Sequence, residues 1–140
     1  MIAVDLDALG DTRRLWRDWL ADASRLIDVE RLPENRRDAA ADLDSRGAGN
    51  WRTLLERFAE DRAPVYLRPA AEVSAALRAL EAQGAEIVVF TDAPAELARV
   101  ALAQLGAARR IARLEVGPAP AGAEAIVTSR AELLRLRRSA

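Results

Sequence analysis

The chain opens MIAVDLDALGDT, in which three apolar residues, Ile2, Ala3 and Val4, run into Asp5, with Asp7 following one residue later. Such a run predicts a buried strand whose carboxyl end presents two carboxylates, and that end is where open α/β sheets place their sites. Ala8, Leu9 and Gly10 break the strand and let the chain turn so that the two carboxylates converge. In that arrangement one carboxylate attacks phosphorus, the other shuttles a proton to the leaving oxygen, and a divalent cation neutralises the crowded negative charge.

Composition narrows the chemistry. The 140 residues suit one domain, or a compact core with a modest insertion, and 51% hydrophobic with 31% charged residues suits a packed globule. A formal net charge of -1 gives no global attraction to nucleic acid or to an anionic membrane, so neither is expected as a partner. Cysteine and histidine are both absent, which excludes disulfides, thiolate nucleophiles, Ser-His-Asp triads and the commonest zinc ligands. Acid and base work therefore falls to carboxylates. All 21 basic residues are arginine. No apolar run approaches the ~20 residues that span a bilayer, and a strand stands where a signal segment would, so a cytoplasmic protein is the default expectation.

After the strand, Asp11 or Thr12 caps a helix to about Ile27 with Leu15, Trp16, Trp19, Leu20, Ala23 and Leu26 on a broad apolar face. Pro33 opens a more polar helix to about Leu43, on which Arg36, Arg37 and Asp38 read as a solvated face. Gly47 and Gly49 end that helix, and Asn50 caps a third with Trp51, Leu54, Leu55 and Phe58 on one side, ending near Pro64. Pro69 then opens a helix closed by Gly84. Residues 86–90 form a continuous apolar run that suits a central parallel strand, ending in Thr91 and Asp92. Thr91 and the helix opening at Pro94 place a hydroxyl and helix amides where a phosphoryl oxygen can be held, although capping is the commoner fate of such a threonine. Two short strands, 111–116 and 125–128, flank GPAPAG, and a last helix covers 131 to about 137. The alternation of strand and helix predicts a parallel sheet covered on both faces.

Taken together these stretches resemble the haloacid dehalogenase superfamily, in its phosphoglycolate-phosphatase-like branch. The first motif of that family is matched by Val4-Asp5-Leu6-Asp7-Ala8-Leu9, except for the final leucine, and the second by Ile87-Val88-Val89-Phe90-Thr91. The resemblance implies a Rossmann-like three-layer α/β/α core over residues 1–10 and 65–140, with residues 11–64 as a small all-helical cap that covers the site. It implies that Asp5 is the nucleophile forming an aspartyl-phosphate, Asp7 the general acid and base, and Thr91 the hydroxyl that holds phosphate. It also implies magnesium, held by Asp5 and by Asp7 through its backbone carbonyl.

The later motifs depart from the family. Its third supplies a lysine, yet Val116-Gly117-Pro118-Ala119-Pro120 has glycine at that position, leaving Arg109, Arg110 or Arg113 as substitutes. Its fourth supplies two acids to the metal, whereas here Thr128 stands at the first position and Glu132 at the second. Asp92, Arg109 and Arg110 are then the expected substrate contacts, and Asp5, Asp7 and Glu132 the expected magnesium ligands. Two readings follow: a weak magnesium-dependent phosphatase acting on a small phosphorylated metabolite, or a catalytically inactive binding or protein-interaction module on the same fold. Arg13, Arg14, Arg36 and Arg37 are further candidates for anion contact, and the tryptophans leave room for an exposed apolar patch and a homodimer.

Overall fold

A computed structural model of the chain describes residues 1–139, so that Ala140, the last residue of the expected core, lies outside the described residues. Within them the order is β1 (Ile2–Asp5), α1 (Leu6–Leu9), α2 (Arg13–Ala23), α3 (Arg36–Ser45), α4 (Trp51–Tyr66), α5 (Ala71–Ala82), β2 (Ile87–Thr91), α6 (Ala95–Gln104), a 3-10 turn (Ala108–Arg110), β3 (Arg113–Val116), β4 (Ala125–Val127) and α7 (Arg130–Ser139). The four strands form one all-parallel sheet in the order β3-β2-β1-β4. This is a mixed α/β architecture compatible with a Rossmann-like fold.

The central strands explain the sheet. Every residue of β2 is buried, and alternate residues face opposite sides, so both faces of the sheet are covered. Helix α5 packs with α7 and α4 with α6. Register pairs Asp5 with Phe90 and Thr91 with Val116, so the carboxyl ends of β1, β2 and β3 form one rim. The 117–124 segment then carries the chain back from that rim to the start of β4 at the opposite edge of the sheet.

Helices α2 to α4 have no separate interior. Leu15, Trp16, Trp19, Leu43, Trp51 and Leu55 belong to the same buried cluster as Val4, Leu77, Val89 and Leu102. Trp19 sits 5.3 Å from Trp16 and 5.9 Å from Trp51, ring centre to ring centre, and ties α2 to α4. All three tryptophans are buried, and the large apolar residues left exposed are instead Leu26, Leu54, Val65 and Ile126. No helix among the described residues is long and apolar enough to cross a membrane.

Several boundaries move from their expected places. Helix α3 starts at Arg36, not at Pro33, because the Asn35 side chain accepts the Asp38 amide and fixes the first turn. Helix α4 runs through Pro64 to Tyr66, since a proline near a helix end deprives only the exposed Glu60 carbonyl of its partner. Strand β3 begins only at Arg113, after a 3-10 turn that occupies 108–110.

Candidate functional site

The chain turns immediately after Asp5. Its carboxylate Oδ1 accepts the Asp7 amide at 2.9 Å and so caps α1, a single turn that carries Asp7 back over the rim. Asp5 is half-buried, and loss of water raises its carboxyl pKa above the ordinary value. The Asp7 amide bond and the charges of Arg13 and Arg36 oppose that rise, whereas the neighbouring Asp7 charge adds to it. Thr91 is buried, and its Oγ1 accepts the Ala93 amide at 3.1 Å, which closes the turn into α6.

Arg36 is the largest departure from expectation. Its side chain is only 1% exposed, not part of a solvated face. Its backbone N donates to Asp92 Oδ2 and its Nε to Asp92 Oδ1, both at 2.9 Å. Nη1 donates to Thr12 Oγ1 at 2.7 Å and Nη2 to Asp7 Oδ2 at 3.1 Å. Thr12 in turn donates its amide and its hydroxyl to Asp7 Oδ1, at 2.9 and 2.7 Å. Arg13 adds a second cation, 3.3 Å from Asp7 and 3.8 Å from Asp92. Thr12 thus serves this network, and Asp11 accepts the Arg13 amide at the start of α2. For Asp92, burial pushes the carboxyl pKa up, but the Arg36 hydrogen bonds and the Arg36 and Arg13 charges outweigh it and leave a net lowering.

A cleft of about 350 Å³ opens on the rim, lined by Asp5, Thr91, Asp92 and Gly117 from the sheet side and by Arg13, Asn35, Arg37 and Asp38 from the helical side. It brings Asp5, Thr91 and Asp92 together. Asp7 stands behind it, in the Arg36 network.

The other expected residues lie elsewhere. Arg109 and Arg110 occupy the turn that enters β3, and in a parallel sheet the entry of β3 is the end remote from Asp5. Arg110 pairs there with Glu81 at 3.5 Å. Glu132 closes its own helix: its carboxylate accepts the Thr128 amide and hydroxyl, both at 3.1 Å, and its amide donates to Ser129 Oγ. It borders a different groove, with Ile126, Arg135 and Leu136.

This placement decides the fit of magnesium, which asks for near-octahedral oxygen ligation with carboxylate charge. The side-chain oxygens of Asp7 are engaged by Thr12, Arg13 and Arg36, so its backbone carbonyl is the oxygen it could offer, and Glu132 is committed to Thr128 in a different groove. No group of three acidic side chains among the described residues is arranged to hold a metal ion. Asp5, Asp7 and Glu132 therefore do not fit magnesium as a set, and the positive charge facing Asp7 comes from guanidinium groups. Comparison with protein-family models, curated proteins and solved structures returns no match.

Proposed function

We propose that this chain is a haloacid-dehalogenase-like protein that seats a small phosphomonoester over Asp5 and hydrolyses it slowly through an aspartyl-phosphate. The observation that carries this reading is Asp5 itself, a half-buried carboxylate at the carboxyl end of β1 that faces a cleft and forms no ion pair among the described residues. Its Oδ1 is fixed by the Asp7 amide, so the carboxylate is already oriented. Attack of a carboxylate oxygen on phosphorus forms the acyl phosphate as the ester P–O bond breaks. The departing oxygen takes a proton from Asp7, and water then cleaves the intermediate, releasing phosphate and regenerating Asp5.

Turnover is slow on this reading because Asp7 accepts hydrogen bonds at both oxygens and must give one up before it can carry a proton. The same observation favours a second reading, a binding module on this fold that holds the phosphomonoester without cleaving it. Hydrolysis of p-nitrophenyl phosphate separates the two. The expected result is a low rate that Asp5→Asn abolishes while circular dichroism is unchanged. An Asp5→Asn protein as active as the wild type sinks the phosphatase reading, and no rate above background in the wild type leaves the binding module.

A further inference from the structure

We propose that Arg37 receives the anionic group of the ligand in the cleft, held over the end of β3 in the space that Gly117 leaves open. This deepens the phosphomonoester reading above and rests on it.

Three arginines approach the rim, and their partners set them apart. The guanidinium of Arg36 is buried against Asp7, Asp92 and Thr12. Arg13 lies beside the same two carboxylates, at 3.3 and 3.8 Å. Both cations are thus committed to Asp7 and Asp92, and their charge also reaches Asp5. Arg37 is the cleft-lining arginine that has no ion pair among the described residues. A guanidinium without a carboxylate partner, at the mouth of a cleft with a half-buried acid at its base, suits the forked oxygens of a phosphate.

Gly117 supports this placement independently. Its φ is +148°, a backbone conformation that side chains rarely adopt. A Cβ added there would come within 3.3 Å of Arg37 Nη1 and 3.7 Å of its Cζ. The guanidinium therefore occupies the room that a side chain at 117 would take.

The test is calorimetric titration of the full-length chain with inorganic phosphate, with Arg37→Ala, Arg37→Lys, Gly117→Ala and Arg109→Ala alongside. A lost charge-assisted contact is expected to weaken phosphate binding by about tenfold or more in Arg37→Ala, and Arg37→Lys is expected to recover part of it. Arg109→Ala, at the far end of the sheet, is expected to bind as the wild type does. Gly117→Ala is expected to weaken binding both by pressing on the guanidinium and by straining the backbone at φ +148°, so its loss is expected to be smaller, though not absent, in the Arg37→Ala background. Arg37 is exposed, so its variants are expected to keep the wild-type melting temperature.

Phosphate affinity unchanged in Arg37→Ala overturns the proposal and leaves the phosphomonoester reading standing. A wild type that binds no phosphate overturns both. If Arg37→Ala loses phosphate while Asp5→Asn hydrolyses normally, Arg37 keeps its role and the aspartyl-phosphate route fails.

Discussion

Arg36→Met is expected to destabilise the folded chain by about 3–5 kcal/mol, the usual cost of leaving a buried ion pair without one partner. The replacement is apolar and of similar length, so packing is largely kept and the loss is electrostatic. Asp92 loses its contacts with the guanidinium, while Asp7 and Thr12 each lose one donor. Denaturant unfolding measures the loss, and a shift under about 1 kcal/mol would show that Arg13 and solvent suffice. Adding Asp7→Asn and Asp92→Asn to Arg36→Met is expected to recover much of it, because the stranded charges are then gone.

The pH dependence tests the same network with opposite signs at two carboxyls. Asp92 has its folded pKa lowered, so its contribution to stability is present above the unfolded value and is lost as pH falls through the folded one. Without Arg36 the burial penalty is expected to dominate, and acidification should then relieve the variant. Asp5 has its folded pKa raised, so its ionised form costs stability at neutral pH and protonation removes that cost. Asp5→Asn is accordingly expected to melt above the wild type at neutral pH, with the gap closing in acid.

Trp19→Ala is the second large effect, an expected loss of about 3–5 kcal/mol. The indole is 1% exposed and packs between Trp16 and Trp51, so its removal leaves a void that α2 and α4 share. Trp19→Phe keeps most of the contact and is expected to lose less. Since these helices share one cluster with the sheet, the variant is expected to unfold in a single transition by near-UV and far-UV circular dichroism alike. A helical block that melts ahead of the sheet would contradict the shared core.

Much of the fold is legible because its signals are local. Residues 86–90 read as a buried strand from their composition alone, one residue out of step with Ile87–Thr91, and Gly84 and Gly106 end their helices at φ values of +83° and +70°. The turn after Asp5 is equally legible from the broken strand. Arg36 is not, because a buried guanidinium and a solvated one are spelled alike, and its carboxylate partners lie 29 and 56 residues away. One signal was present: the buried residues of α3 are Arg36, Ala39, Ala40 and Leu43, the i, i+3, i+4, i+7 stripe of a packed face, with arginine at its head. Asn35 sets that phase, and a helix begun at Pro33 obscures it. Glu132 misleads for a related reason. Ser129 and Glu132 have the spacing of a capping box, which a local reading cannot separate from an acid aimed at a metal.

The bonds from Arg36 to Asp7 and Asp92 fasten the helical block to the sheet at the very edge of the cleft. Lifting α3 away would strip two carboxylates of their buried cation, which sets a large energetic cost on that motion. On the proposed function, a ligand would therefore sit in a cleft of about 350 Å³ whose edge is held by buried charge. On that reading, ligand exchange is expected to proceed without lifting α3.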